Sequence, residues 1–142
     1  MTVGMFVAAA RGEVIQASIG DTVAQVVAML AERRIGCVPV VEQGKVVGIF
    51  SERDLVYGIA RTGAALLDKS VGEVMTKPAV TIAADTPILS ALALMTKRRV
   101  RHLPIVEGER MVGFVSIGDL VKSRIDKVES EADAMRSYIQ SA

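Results

Sequence analysis

Residues 34–54 read RIGCVPVVEQGKVVGIFSERD and residues 99–119 read RVRHLPIVEGERMVGFVSIGD, so the chain contains two similar copies of one pattern. The copies are 65 positions apart, because Pro39 matches Pro104 and Asp54 matches Asp119. At the same spacing, the apolar stripe that begins at Val23 matches the one that begins at Ile88. An internal repeat in a single register determines the architecture of the whole chain.

Each copy predicts the same order of elements, a β-α-β-β-α unit. From Val23 onward the apolar residues are spaced like one face of a helix, and Ile88 begins the matching helix. Two β-branched runs then flank a short turn, at 43–45 in the first copy, which is typical of a hairpin. We also expect a short strand before each unit, at 13–19 and 79–82, and a second helix after each hairpin, at 51–61 and from 117.

We therefore predict an α+β fold in which two β-α-β-β-α units are related by a pseudo-twofold axis. The first unit covers about 13–62, the second about 76–125, and 63–75 links them, so that 1–142 form one module. Helices that cover one face of a three-stranded sheet leave its other face exposed. We expect the two sheets to pack against each other over one shared core for this reason.

The last segment, about 117–140, contains neither glycine nor proline after Asp119 and predicts a long helix. Its apolar residues alternate in spacing between four and three, which is the pattern of a coiled-coil seam. A helix of this length exceeds what one unit can cover, so we expect part of the seam to contact a second copy in a homodimer. The alternative is a helix that folds back on its own domain. The seam consists of Val121, Ile125, Val128, Ala132, Met135 and Ile139.

The overall composition argues against several classes of function. The 17 basic and 16 acidic residues leave a net charge of +1, which provides no electrostatic basis for binding nucleic acid. Charged residues interrupt the apolar runs before they reach the length of a membrane span, and residues 1–10 lack the features of a signal peptide. A single cysteine forms no internal disulfide, which fits a reducing compartment, so we expect a cytoplasmic protein.

A Gly-x-x-Ser-x-x-Asp pattern occurs in both copies where a strand is expected to meet a helix. The glycine has no side chain, so a ligand can approach the backbone. The serine stands at a helix start, where a hydroxyl and unpaired N–H groups can bind phosphate, and the aspartate oxygens match the two donors of a ribose diol. The alternative is that both are ordinary helix caps, because the same spacing is a capping pattern. The residues are Gly48, Ser51 and Asp54, then Gly113, Ser116 and Asp119.

The two copies differ just before the first strand of each hairpin. Arg101 and His102 offer a charge and a hydrogen-bonding ring to phosphate, whereas the first copy has Gly36 and Cys37 at these positions. We expect two unequal sites, of which the one containing Arg101 and His102 is better suited to a polyphosphate. The alternative is that Arg101 is a solvent-exposed cation and His102 an ordinary residue at a strand edge.

The remaining candidate residues are two prolines and the only thiol. Pro39 and Pro104 lack an N–H group, so we expect their strands to be edges of the sheet or irregular there. We expect Cys37 to be buried and inert. One histidine and one cysteine cannot build a typical zinc site, and the usual nucleophile and nucleotide-binding loops are missing. We therefore expect no metal and no catalysis.

With these motifs in one register, the chain resembles the CBS (cystathionine beta-synthase) domain family, in particular small stand-alone bacterial proteins that contain a pair of CBS repeats. The resemblance covers about 13–125 and includes Val74-Met75-Thr76 before the second unit. It implies a regulatory module, not an enzyme. Such a module binds an adenosine-containing ligand, such as AMP, ADP, ATP, NAD or S-adenosylmethionine, in clefts between the repeats. It reports this ligand to a partner protein or to its own dimer.

The resemblance also assigns roles to individual residues. It implies that a backbone carbonyl at a strand proline receives the adenine amino group, and that the nucleotide is a regulatory ligand rather than a required cofactor. The alternative is a structural or interaction protein that has no functional ligand site. The expected ligand-binding residues are Cys37, Pro39, Ser51, Asp54, Arg101, His102, Pro104, Ser116 and Asp119.

Overall fold

The computed structural model describes residues 1–10 and 14–141 and contains the two predicted β-α-β-β-α units. The predicted long C-terminal helix is also confirmed. In chain order the elements are α1 (Val3–Ala10), β1 (Ala17–Ser18), α2 (Val23–Arg33), β2 (Cys37–Glu42), β3 (Lys45–Ser51), α3 (Glu52–Thr62), a 3-10 helix (Gly63–Asp68), α4 (Val71–Val74), β4 (Ile82–Ala83), α5 (Ile88–Arg98), β5 (His102–Glu107), β6 (Arg110–Ser116) and α6 (Ile117–Ser141).

The first helix of each unit has well-defined ends. At the start of α2 the Gln25 N–H donates to Thr22 Oγ1 at 3.1 Å, and the Thr22 N–H donates to Gln25 Oε1 at 2.9 Å. Helices α2 and α5 both end in a residue of left-handed conformation, Arg34 with φ 54° and Arg99 with φ 55°. This conformation leads the chain out of the helix toward the following strand. The units therefore repeat the same turn as well as the same order.

The strand that begins each unit is shorter than predicted. β1 lies within the predicted range 13–19, whose first residue, Glu13, is outside the described residues. β4 overlaps the end of the predicted range 79–82. Each pairs in parallel with the next strand over two residue pairs. The chain then turns at once into α2 or α5, which leaves no room for longer pairing.

The strands form one six-stranded sheet in the order β1-β2-β3-β6-β5-β4, and the predicted packing of two sheets over one shared core is wrong. The halves of the sheet meet at the pair Lys45–Arg110 between β3 and β6. Beside it, Lys45 Nζ lies 2.6 Å from Glu109 Oε2 in an exposed ion pair. The buried apolar residues form two clusters, one in each unit. Each unit needs no second sheet, because its own helices and a segment from elsewhere in the chain cover its strands.

The segment added to the second unit is α1, which precedes the first unit in sequence. The Val3 and Gly4 N–H groups donate to the carbonyl oxygens of Thr86 and Ala84, both at 2.9 Å. Val3 is fully buried in the cluster of the second unit. The N-terminal residues therefore complete the core of the unit that is more distant in sequence.

The segment added to the first unit comes from 63–75, which the sequence predicted as a linker. The Val71 N–H donates to the carbonyl oxygen of Asp21 at 2.7 Å, and the Gly72 N–H donates to that of Ile19 at 3.2 Å. Val71 and Leu66 are both buried in the cluster of the first unit. This segment packs on the first unit in the way that α1 packs on the second.

The 3-10 helix fills a space in the first unit that is open in the second. The Leu66 side chain lies so close to α3 that a Cβ added at Gly58 would be 2.5 Å from it. The position that matches Gly58 is Ser123, where α6 continues without a turn. Ser123 lines a groove of about 940 Å³ between α6 and α1.

The two strand prolines are buried in β2 and β5. Both are inner strands of the sheet, so the prediction of edge strands is wrong. Pro39 is opposite Ile49 in the hairpin, but the Ile49 N–H and carbonyl oxygen bond to Thr76, each at 2.9 Å. Pairing with β1 begins only at Val40. The missing N–H therefore costs no ladder bond. The predicted irregularity is present as a register shift directly after Val40, and the hairpin of Pro104 repeats it.

Helix α6 has 25 residues and buries only Leu120. Residues 126–141 are exposed throughout, so the alternative of a helix folded back on its own domain is wrong for this part. No helix in the described part of the chain is long and apolar enough to cross a membrane. The large apolar residues that α6 exposes by 41–73% are Val121, Ile125, Val128, Met135, Tyr138 and Ile139.

Candidate functional site

A cleft of about 440 Å³ lies between the two units, where the start of α3 faces the start of β5. The first unit contributes Cys37, Ser51 and Asp54 to its wall, and the second contributes Arg101 and His102. Candidate residues that are about 50 positions apart in sequence therefore line one site. Arg101 and His102 share this cleft with the aspartate of the first unit, although the sequence placed them with the site of the second.

Asp54 has a partner on each carboxylate oxygen. Oδ2 accepts from the Ser51 N–H at 2.9 Å and from the Ser51 hydroxyl at 3.2 Å, which caps the start of α3. Oδ1 accepts from the Thr76 hydroxyl at 2.7 Å, and Thr76 itself lines the cleft. Ser51 and Asp54 are thus helix caps, as the alternative held, and they also line the cleft. An oxygen that accepts from a hydroxyl in the cleft is chemically suited to accept from a sugar diol.

Ser116 and Asp119 form a reciprocal cap at the start of α6. The Ser116 N–H donates to Asp119 Oδ2 at 3.2 Å, and the Asp119 N–H donates to Ser116 Oγ at 3.1 Å. Asp119 is exposed and borders the groove between α1 and α6. The N–H groups of Gly4 and Gly72 donate to matching positions of the two units. Ala8 and Thr76 both come four residues after these glycines, so Ala8 is the counterpart of Thr76 in sequence. The two Ser-Asp pairs therefore have different surroundings.

The motif glycines serve packing, and the prediction that they let a ligand approach is wrong. Gly48 is buried in β3, and a Cβ there would lie 2.6 Å from the sulfur of Met75 and 2.8 Å from the carbonyl oxygen of Thr76. Gly113 has the same relation to Val7 of α1, at 2.9 Å. The space expected for a ligand is filled by the segment that each unit receives from elsewhere in the chain.

The first amide of each following helix is already bonded, contrary to the expectation of unpaired N–H groups. The Glu52 N–H donates to the carbonyl oxygen of Gly36 at 3.0 Å, and the Ile117 N–H donates to that of Arg101 at 2.7 Å. Side chains in the wall of the cleft supply positive charge for an anion. The arginines that line the cleft are Arg53, Arg99 and Arg101.

Three residues of the cleft that can donate a hydrogen bond to a ligand were not among the predicted ligand-binding residues, namely Thr76, Arg53 and Arg99. A signal for Arg53 was present, because the matching position in the second copy is Gly118, so the copies differ in charge beside the motif aspartate. Thr76 belongs to the Val74-Met75-Thr76 motif of the resemblance, but its local sequence gave no sign that it lies beside Asp54. It reaches the cleft only because its segment packs on the first unit.

His102 is half-buried, and its ring stacks on Phe114 with centroids 5.4 Å apart and 15° between the planes. Burial lowers the pKa of His102 below its ordinary value; the charge of Asp119 opposes this and the charge of Arg101 adds to it. The imidazole is therefore neutral at neutral pH. It can offer a hydrogen bond to a ligand but not a positive charge.

Cys37 is 6% exposed and lines the cleft. Burial, with the charge of Asp54 as a second cause, raises the pKa of its thiol to about 12. The thiol is therefore protonated and unreactive at neutral pH, in agreement with the prediction of an inert residue. Among residues 1–10 and 14–141, no group of three or more His, Cys, Asp or Glu side chains is placed to hold a metal ion.

The chain matches the family model described as the CBS domain over residues 8–61 and 71–126. The mitochondrial CBS domain-containing protein CBSX3 of Arabidopsis thaliana is 32% identical over 136 residues, which are 92% of this chain and 66% of that protein. The CBS domain-containing protein YhcV of Bacillus subtilis is 31% identical over 125 residues, which are 87% of this chain and 86% of that protein.

Solved structures agree with this relationship. A CBS-domain-containing protein from Agrobacterium tumefaciens is 35% identical with a TM-score of 0.80, covering 87% of this chain and 99% of that one. The CBS domain pair of MJ0100, in complex with 5′-methylthioadenosine and S-adenosyl-L-methionine, has a TM-score of 0.77 at 24% identity, covering 89% of this chain and 98% of that one. CBSX2 in complex with AMP has a TM-score of 0.76 at 22% identity, covering 88% and 96%. These last two likenesses show the fold alone. From the family match over both units and the relatives that share about a third of its residues, the chain belongs to the CBS domain family and carries a pair of CBS repeats.

Proposed function

We propose that the protein is a regulatory module that binds an adenosine-containing nucleotide in the cleft between its two CBS repeats. The bound state is then passed to a partner protein or to the protein's own dimer. One observation carries the proposal: Asp54 accepts from a hydroxyl in a cleft that arginines also line. A ribose phosphate presents a diol and an anion, which match these two features.

Two proteins of the same fold support the adenosine part of the proposal. The MJ0100 pair is in complex with 5′-methylthioadenosine and S-adenosyl-L-methionine, and CBSX2 is in complex with AMP. These ligands share adenosine and differ in the group attached to it. We therefore assign adenosine to the cleft, with the adenine amino group near the backbone carbonyl of Pro39 or Pro104.

We propose a regulatory role rather than catalysis, because the reactive groups of the cleft are in unreactive states. The Cys37 thiol is protonated, and the neutral ring of His102 stacks on Phe114 rather than orienting a nucleophile. The proposal also places the protein in the cytoplasm, where its single cysteine stays reduced.

The output of the module is proposed to pass through a homodimer. The support is the exposed apolar seam of α6, whose length exceeds what the two repeats cover. Closed twofold assemblies are the commonest oligomers of soluble proteins. A separate regulated protein is the other route for the signal.

Thermal unfolding of the full chain with AMP, ATP, NAD and S-adenosylmethionine tests the proposal. A ligand that binds only the folded state adds about 2.7 kcal/mol of stability at 100 times its Kd, so the Tm should rise. Asp54→Ala should weaken binding roughly 10-fold to 100-fold, because a charged acceptor worth about 1.5–3 kcal/mol is lost. Asp68→Ala, on the exposed end of the 3-10 helix, is the matched control.

The absence of any Tm shift would favour the second candidate, a structural or interaction protein without a ligand site. The caps at the start of α3 and α6 favour that candidate, since capping alone is a sufficient reason for a Ser-x-x-Asp sequence.

A further inference from the structure

The residues around Asp54 that line the cleft differ from the residues at the matching positions around Asp119. Around Asp54 these positions carry a cation on its own helix, a hydroxyl on the segment after α4, and a cation across the cleft. The matching positions around Asp119 carry residues without such groups. The pairs are Arg53 with Gly118, Thr76 with Ala8, and Arg101 with Gly36.

The two hairpins also differ in bulk where they border these positions. The first hairpin has Cys37 and Ile49, and both line the cleft. At the matching positions the second hairpin has the larger residues His102 and Phe114, whose rings stack on each other. Beside these smaller residues and Asp54 lies an opening of about 440 Å³, within the usual range of small-molecule sites, about 300–1,000 Å³.

The charges of the cleft favour an extended anion. Three arginines line it, against one aspartate and one glutamate. The arginines come from three different places: Arg53 from the start of α3, Arg99 from the end of α5, and Arg101 from the residues before β5. Cations spread over three elements can follow a chain of phosphates, whereas a single phosphate occupies only one position among them.

From these differences, and resting on the proposed function, we infer that the chain binds one nucleotide per pair of repeats. The nucleotide lies in the Asp54 cleft, and this site selects nucleoside di- and triphosphates over monophosphates and nucleosides. Arg53 contributes to this selection together with Arg101, since both cations have a glycine, Gly118 and Gly36, at the matching position. Ser116 and Asp119 act only as the cap of α6.

Isothermal titration of the full chain with ATP, ADP, AMP and adenosine tests the inference. We expect one ligand per chain and affinity that falls in that order. Asp54→Asn should weaken ATP binding roughly tenfold or more, while Asp119→Asn should leave the Kd within about twofold of wild type. Both variants keep a side-chain oxygen for capping, and circular dichroism will report whether each is folded.

A second substitution tests the phosphate selection without touching a cap. Arg53→Gln should weaken ATP binding roughly tenfold and leave adenosine binding unchanged. Arg61→Gln, an exposed position on the same helix, is the matched control for loss of charge and should change neither. This pair of variants decides the selection even if Asp54→Asn does not fold.

The outcomes separate the inference from the proposed function. Two ligands per chain, with one lost in Asp119→Asn, would overturn the single site while adenosine recognition stands. Equal affinity for ATP and adenosine, or an equal effect of Arg53→Gln on both, would overturn the phosphate selection. Failure of all four ligands to bind, with no Tm shift from NAD or S-adenosylmethionine either, would overturn the proposed function itself.

Discussion

At the scale of residues, Asp54 and Asp119 show how one local pattern acquires two environments. Both cap the helix that follows them through a serine three residues earlier. Only Asp54 has a second partner, because Thr76 reaches it from 22 positions away and donates at 2.7 Å. A capping pattern and a ligand-binding pattern look the same in sequence. The partner on the other oxygen distinguishes the two aspartates in the structure.

The neutral state of His102 predicts a dependence of stability on pH. Burial lowers the pKa of the folded ring below its ordinary value of 6.5, so protonation favours the unfolded chain. The contribution of the neutral ring to the free energy of unfolding is full above that value and is lost as the pH falls through the lowered folded pKa. Urea unfolding from about pH 7 to 5 should therefore show a steeper loss of stability for wild type than for His102→Gln. Parallel profiles would contradict this account.

At the scale of elements, the two units differ most where their second helix ends. α3 ends at Thr62, and the 3-10 helix then turns Leu66 into the space beside Gly58. α6 continues to Ser141, and the equivalent space beside Ser123 is an open groove. A glycine is needed where Leu66 closes on the helix, whereas Ser123 has room for its hydroxyl, which donates to Met1 Sδ at 3.6 Å.

Gly58→Ala tests this contact. A Cβ at this position would meet the buried Leu66 side chain at 2.5 Å, and overpacking of this kind costs roughly 1–3 kcal/mol. The better helix propensity of alanine offsets up to about 1 kcal/mol of this cost. We expect a net loss of about 1–2 kcal/mol in the free energy of unfolding, measured in urea. Ser123→Ala is the matched control and should have little effect; a stable Gly58→Ala protein would show that Leu66 moves aside freely.

At the scale of the whole molecule, neither unit builds its core from its own sequence alone. α1 completes the second unit and 63–75 complete the first, so each unit depends on a segment that precedes the other. This exchange also places Thr76 in the cleft. Among the described residues, α6 exposes a long apolar surface, where Met135 and Ile139 of the seam are 61% and 66% exposed and the neighbouring Tyr138 is 73% exposed.

The exposed seam predicts that the protein associates through α6. An apolar stripe of this length is unusual on the surface of a monomer. Sedimentation equilibrium should show a dimer or a larger assembly for the full chain and weaker association for a chain that ends at Lys127. A monomeric full chain would contradict the prediction. A truncated chain that remains fully dimeric would move the interface to the repeats, where α3 exposes Val56, Tyr57 and Ile59.

The sequence by itself determined the type and order of the elements within the two repeats, the register of the repeats, and the choice of Ser51, Asp54, Arg101 and His102 as candidate site residues. These features follow from local periodicity, from turn residues, and from comparison of one copy with the other at a constant spacing. Such signals need no knowledge of which distant residues meet. They therefore identified the helices and hairpins of the two repeats within a residue or two, left the strands at 13–19 and 79–82 too long, and missed α1, the 3-10 helix and α4.

Only the tertiary structure decided which unit α1 and the segment 63–75 cover. These contacts determine that the motif glycines serve packing and that Thr76 lies beside Asp54. It also showed that Pro39 lies in an inner strand, and that Arg101 shares a cleft with Asp54. Each of these facts depends on contacts between residues far apart in a chain with two similar units. The local pattern of a segment such as α1 is compatible with either unit. The free energy of burying Val3 and of pairing its backbone decides between them only once the chain has folded.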